Sequence, residues 1–187
     1  PSDPLQPITQ LNQGENNYFS RVVINSSKAY VIGTWSTELD TYNTSGQLGS
    51  SLEIGGIIYS ACHNIAKNKI YFYNTHVQEN AKIYILNTTN NVVNILEMSD
   101  AICDIEIHPL TNNALISSGG DSDYIKVVDG TTDVLLSQSN WIQLNHDHIG
   151  EMYISTNNNL YALITEATLP SKPGIETWSL GSTSNTY

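Results

Sequence analysis

The side chains best suited to metal chemistry in this sequence are its five histidines, His63, His76, His108, His146 and His148. His146 and His148 are separated by a single residue. In an extended strand this spacing places both imidazoles on one side. Neutral imidazole is a common ligand of copper, zinc, iron and nickel, whereas calcium prefers oxygen ligands. The sequence therefore contains candidate ligands for a transition metal.

Where these histidines lie in the fold can be predicted from a repeat in the sequence. Four segments share one pattern of apolar and turn residues and recur after 44, 42 and 50 residues. They begin Leu39-Asp-Thr-Tyr, Ile83-Tyr-Ile-Leu, Ile125-Lys-Val-Val and Ile175-Glu-Thr-Trp. A period of this size, built from short alternating segments that are rich in β-branched and aromatic residues, is typical of propeller blades. The sequence predicts an all-β fold.

Three strands can be placed in each repeat. The second strands begin at Lys28, Lys69, Ala114 and Asn159, and an alternating run precedes each of them. We predict four blade-like antiparallel units in one domain over 17–187, near 17–54, 55–98, 99–140 and 141–187. Residues 1–16 form a lead segment with three prolines, which either adds a closing strand to the last unit or is a flexible leader. The sequence leaves open whether the ring closes or stays an open array.

The repeat divides the histidines into two groups. His63 and His108 are equivalent and end first strands, where we expect them to be structural and to bond a nearby carbonyl. His76 ends the second strand of unit two, at the position that Trp35 holds in unit one. His148 starts the first strand of unit four, and His146 lies two residues before it. Because the start of strand one and the end of strand two open onto the same face, this second group is predicted to converge. The alternative is that these side chains simply face solvent.

Two segments resemble the YVTN type of β-propeller repeat. They are Tyr124-Ile-Lys-Val-Val-Asp-Gly-Thr-Thr-Asp-Val-Leu-Leu and, more loosely, Ile83-Tyr-Ile-Leu-Asn-Thr-Thr-Asn-Asn-Val-Val. In that family a turn with Asp or Asn followed by Gly or Thr joins the two outer strands of a blade. The resemblance implies a fold and a binding surface and does not imply a reaction.

In its acidic character and histidine placement, the chain also resembles the copper-repressible surface proteins of methanotrophic bacteria. That resemblance implies one copper(I) ion, held by two histidines and a kynurenine made from tryptophan. His76 with His146 or His148 would be the imidazole ligands. The family's modified tryptophan lies two residues before the first histidine, where this chain has Asn74. Trp35 or, second, Trp141 would then supply the third ligand.

Composition narrows the class of protein further. The formal net charge is −11 with only seven Lys and Arg residues, which argues against a nucleic-acid partner because a basic face is needed to neutralise phosphates. The polar residues are mostly uncharged, which favours a secreted, cell-surface or periplasmic location. No apolar run is long enough to span a membrane, and no signal peptide is present. Because the sequence begins with Pro1, we expect a processed chain or an excised domain.

The remaining motifs favour binding over catalysis. Cys62 and Cys103 are offset by four positions along equivalent strands, so two buried free thiols are favoured over a disulfide. Gly119-Gly-Asp-Ser-Asp123 lacks most ligands of a calcium loop and is predicted to be a turn. No nucleophile elbow, phosphate loop or HExxH motif is present. We expect a copper-binding surface protein for copper acquisition that is not an enzyme. The alternative is a metal-free adhesion or scaffold module.

Overall fold

The computed structural model describes residues 18–25, 28–34, 36–43, 45–74, 81–119, 124–144, 149–164 and 174–180. The chain divides into two compact units, Pro1–Ser60 and Ala61–Tyr187. The predicted lead segment, residues 1–16, lies outside the described residues.

The first unit contains one antiparallel sheet. Its strands, in sheet order, are β1 (Tyr18–Asn25), β2 (Lys28–Thr34), β3 (Glu38–Asn43) and β4 (Leu48–Glu53). Tyr30, Ile32 and Leu39 are buried at its centre. A turn after β3 is closed by Asn43, whose Oδ1 accepts the backbone N–H groups of Ser45 and Gln47 at 2.9 and 3.0 Å.

The second unit contains three sheets with the same strand order. The second sheet consists of β5 (Ser60–Asn64), β6 (Lys69–Tyr73), β7 (Ala81–Asn87) and β8 (Val92–Met98). The third consists of β9 (Ile102–Ile107), β10 (Ala114–Ser118), β11 (Tyr124–Val128) and β12 (Ile142–Gln143). The fourth consists of β13 (Ile149–Ile154), β14 (Asn159–Ile164) and β15 (Gly174–Ser179). Two 3-10 helices, Ile65–Lys67 and Gln138–Asn140, are the only helical segments in the described residues.

The predicted all-β class and the four antiparallel repeat units are confirmed. The repeat positions Leu39, Ile83, Ile125 and Ile175 lie on the third strands, as predicted. One detail differs from the alternating sequence pattern, which is typical of strands that are buried on one face only. Every residue of β6 and of β10 is buried. For β10 the reason is that the third sheet packs on both faces, against the second and the fourth sheet, and so has no solvent side.

The two cores of the second unit lie between successive sheets. Ala114 and Ile116 on β10 pack against the second sheet in one cluster with Tyr71 and Ile83. Leu115, between them in sequence, packs in a second cluster with residues of the fourth sheet. Because successive side chains of a strand point to opposite faces, one strand contributes to both cores.

A buried lysine ties the second sheet to the third. The ammonium group of Lys69 donates to the carbonyl oxygens of Gly130 and Thr131, both at 3.0 Å, and to Asp133 Oδ1 at 2.6 Å. Asn94 on β8 donates to the other oxygen of Asp133 at 3.3 Å. Both side chains of the ion pair are only 10% exposed, so the charges are paired and hydrogen-bonded where solvation is weak. We call this contact the Lys69 latch.

Candidate functional site

The predicted metal ligands lie outside the described residues. Trp35, His76, His146 and His148 all fall in the gaps, so their convergence stays a prediction. The strands that flank His76, His146 and His148 are described. His76 comes three residues after the end of β6, and His148 directly precedes β13. The positions of these strand ends decide whether the histidines can meet.

The end of β6 lies beside the start of β9. The phenol of Tyr73, the last residue of β6, donates a hydrogen bond of 2.9 Å to the backbone oxygen of Cys103. Cys103 is the second residue of β9. The antiparallel register places the end of β10 at the same edge, because Ser118 pairs with Ile102.

The start of β13 reaches this edge as well. Ser117 Oγ donates to the carbonyl of Gly150 at 3.1 Å. The N–H of Met152 donates to Asp104 Oδ2 at 2.8 Å. The ends of β6 and β10 and the starts of β9 and β13 therefore lie along one edge of the second unit, which we call the histidine edge. The sequence did not single out Tyr73, Asp104 or Ser117, because hydrogen bonds between distant strands leave no local pattern.

Cys103 is the potential soft ligand nearest this edge. As predicted, neither it nor Cys62 forms a disulfide within the described residues, but both are half-buried where full burial was expected. Burial and the neighbouring Asp104 carboxylate raise the pKa of the Cys103 thiol, which keeps it protonated at neutral pH. Cys62 packs against the core between the second and third sheets.

His108 belongs to a turn at the opposite edge. Its side chain is 1% exposed, and its Nδ1 accepts the N–H groups of Leu110 and Thr111 at 3.1 and 3.3 Å. The predicted structural role is confirmed, although this ring nitrogen accepts from N–H groups and the prediction had the histidine bonding a carbonyl. Burial lowers the pKa of His108.

His63 is the penultimate residue of β5 and differs from its counterpart, His108. Its Nε2 is buried and has no hydrogen-bond partner in the described part of the chain. Burial lowers its pKa, because the charged imidazolium loses solvation. Neither His63 nor His108 lies at the histidine edge, which is named for His76 and His148, whose neighbouring strands end there.

Trp141 has another role in the third sheet. Its indole N–H donates to the carbonyl of Leu136 at 2.8 Å, and its ring lies 5.5 Å from Lys126 Nζ. Lys126 is itself buried and pairs with Asp100. Tyr124 packs edge-on against the indole with ring centroids 6.0 Å apart. These contacts use both the ring face and the N–H of Trp141, so Trp35 remains the better candidate for a metal-side tryptophan.

The predicted glycine-rich turn falls only partly within the described residues. β10 and β11 flank the glycine-rich segment, of which only Gly119 is described, with its N–H on the carbonyl of Ala101 at 2.8 Å. Among the described residues, no three His, Cys, Asp or Glu side chains are grouped as a metal site would require. No helix in that part of the chain is long and apolar enough to cross a membrane.

No family model matches the sequence, and no curated protein matches it significantly. Solved structures do match. Kuenenia stuttgartiensis hydrazine synthase aligns with a TM-score of 0.66 at 12% identity, over 82% of this chain and 43% of that one. A streptogramin B lyase aligns with a TM-score of 0.61 at 13% identity, over 87% of this chain and 54% of that one. The fold is of the β-propeller type.

A third solved structure that matches is Kluyveromyces lactis Hsv2, with a TM-score of 0.51 and 15% identity over 79% of this chain and 42% of that chain. The chain thus spans about half the length of the solved structures that it matches. At these identities the likeness concerns the fold alone. The predicted propeller-like repeats are supported, while nothing in these neighbours bears on copper.

Proposed function

We propose that this chain is an extracellular or cell-surface protein that binds one copper(I) ion for copper acquisition, with His76 and either His146 or His148 as ligands. The observation that carries the proposal is the histidine edge. The described strands that lead to His76 and from His148 end on the same side of the second unit, joined through Tyr73, Cys103 and Ser117. Short connections from one edge can bring two imidazoles to one ion.

The chemistry of the ligands favours copper(I). Two imidazoles provide borderline-soft donors and a low coordination number, which copper(I) accepts without strict geometry. Trp35, at the equivalent position of the first repeat, is the candidate for a neighbouring or oxidised third ligand. Since imidazole must be neutral to bind metal, affinity should fall as the pH drops through the histidine range near 6.5.

Copper(I) titration against a competing chelator tests the proposal. His76→Ala should lose most of the affinity, and the double variant His146→Ala/His148→Ala should lose as much. His63→Ala is the matched control, because it removes an imidazole at the opposite edge and should keep parental affinity. Parental affinity in His76→Ala would contradict the proposal. Intact-mass measurement of protein from its native source shows separately whether a tryptophan carries the kynurenine modification.

The second candidate is a metal-free adhesion or scaffold module. Exposed apolar side chains on the fourth sheet favour it, among them Tyr153 at 62% and Ile175 at 68% exposure. Elemental analysis of natively purified protein separates the two functions. Close to one copper per chain supports the first proposal, and clearly less than stoichiometric transition metal supports the module.

A further inference from the structure

The fourth sheet buries one face and exposes the other. Met152, Leu160 and Ala162 point to the third sheet and belong to its core. On the opposite face, Tyr153, Leu163 and Ile175 are 62%, 42% and 68% exposed. Within the second unit, no described residue covers these three side chains to the extent seen in the cores.

The exposed side chains form two rows across the strands. Tyr153 pairs with Tyr161, and their ring centroids are 6.5 Å apart. Leu163 pairs with Ile175 on the next strand. Because directly paired residues and residues two apart on a strand share a face, an aromatic row lies beside an aliphatic row. We call this surface the fourth-sheet face.

A further sheet is the structure that fits the fourth-sheet face. The second, third and fourth sheets already stack through apolar side chains, so the face continues an existing series of sheet contacts. The outer units of stacked repeat proteins usually present polar faces, whereas this one presents two tyrosines and two aliphatic residues. The chain covers only 43% and 54% of two solved propeller-type structures, and such folds stack further sheets in the same manner.

We propose that the fourth-sheet face binds the same face of a second copy of this chain, forming a two-fold symmetric dimer. A two-fold axis between the rows places the tyrosines of one copy over Leu163 and Ile175 of the other, so the surface is self-complementary. Two sheet faces pack in this way at about 10 Å separation. The four side chains of the rows are uncharged, which suits an identical copy, and the exposed Glu151, two residues before Tyr153 on the same strand, adds to the repulsion between copies.

The expected dimer is weak and strengthened by salt. The contact between four side chains on each copy is smaller than a standard specific interface, so we expect a weak dimer with a dissociation constant on the order of 10–100 µM. Each copy carries a formal charge of −11, and ionic strength screens the repulsion between copies. Raising the salt concentration should therefore tighten the dimer several-fold.

Sedimentation equilibrium from about 1 to 200 µM protein, a range chosen around that constant, tests the proposal. The parent should shift from monomer to dimer, and Ile175→Glu should stay monomeric. Ile95→Glu is the matched control, because Ile95 is 54% exposed on β8 of the second sheet, and it should dimerise like the parent. A monomeric parent at every concentration, or loss of the dimer only in Ile95→Glu, would overturn the proposal.

A second variant and a second measurement guard against misfolding. Tyr153→Ser replaces an exposed ring and should also abolish the dimer while keeping the parental circular dichroism spectrum. Hydroxyl-radical labelling of Tyr153 in the parent should decrease as protein concentration rises. Protection of Tyr153 that is equal at all concentrations would mean that a segment of the same chain covers the face, and the dimer proposal would then be wrong.

Discussion

The turns that follow β5 and β9 occupy equivalent places in two repeats but are held by different chemistry. After β9, the buried ring of His108 accepts two backbone N–H groups. After β5, the equivalent His63 does not cap the turn. There, the side chain of Asn64 accepts the N–H of Lys67 at 3.3 Å. The repeat therefore preserves the path of the backbone while the capping group moves by one residue.

The two turns also meet. Asn64 donates from Nδ2 to the carbonyl of Asn112 at 2.7 Å, and Asn68 and Asn112 both adopt positive φ angles, 53° and 61°. Asparagine tolerates this left-handed conformation better than most residues. Local turn chemistry is thus shared, and the side chains that join one sheet to the next are specific to each repeat.

The strongest test of this comparison is Gly130→Ala. A Cβ at Gly130 would lie 1.8 Å from the carbonyl oxygen of Asn112, so the backbone of the turn after β9 must move. We expect a loss of about 4 kcal/mol or more in the free energy of unfolding. Gly55→Ala is the control. Its φ is +89° with no atom within 4 Å of the added Cβ, so only about 1 kcal/mol of backbone strain is expected. Urea denaturation measures both.

Breaking the Lys69 latch should have the next largest effect. Lys69→Met leaves Asp133 buried without its cation, which costs about 3 kcal/mol. Lys82→Met provides the control, because Lys82 pairs at 3.6 Å with Glu97, whose side chain is 80% exposed. An exposed pair contributes less than about 0.5 kcal/mol. Equal effects of the two substitutions on the urea midpoint would show that the latch does not stabilise the fold.

His108 and His63 should respond differently to substitution. His108→Ala leaves the N–H groups of Leu110 and Thr111 without an acceptor and opens a small cavity, so we expect a loss of about 2–3 kcal/mol. His63→Leu replaces a buried nitrogen that has no partner among the described residues, and should be neutral or stabilising by up to about 1 kcal/mol. The thermal unfolding midpoints of both variants, compared with that of the parent, test this expected order. The reverse order would mean that His63 holds the turn.

The smallest effect concerns pH. Burial lowers the pKa of both histidines, so the unfolded chain takes up protons near pH 6.5 before the folded chain does. Their contribution is fully present above that value and is lost as the pH falls toward the folded-state pKa. Stability should therefore decline as the pH falls below about 6.5, and less steeply in His63→Leu. Identical pH profiles for parent and variant would contradict this assignment.

The sequence predicted the fold well because its signals are local. Alternating apolar residues and Asn-rich turns recur in register, so the third strands at Ile83 and Ile125 could be aligned without a structure. The Lys69 latch could not be predicted, because Lys69 and Asp133 are 64 residues apart in sequence and neither belongs to a motif. Full burial of β10 depends on how the second, third and fourth sheets stack, and strand periodicity does not record it.

The candidate site was predicted only in part. Topology correctly indicated that the end of a second strand and the start of a first strand share an edge, as Tyr73, Cys103 and Gly150 now show. Where the side chains of His76 and His148 lie is set by connecting segments outside the described residues. Trp141 illustrates the limit, because its sequence context gives no sign that it covers Lys126 and bonds Leu136.

The Lys69 latch has a consequence for the kinetics of folding. Each sheet forms from consecutive hairpins, whose short loops close quickly and cost little chain entropy. The latch joins groups more than 60 residues apart and requires both sheets to be complete. We therefore expect it to form after the folding transition state and to stabilise mainly the native side of the barrier. Lys69 then governs how slowly the second and third sheets separate and has little effect on how fast either one forms.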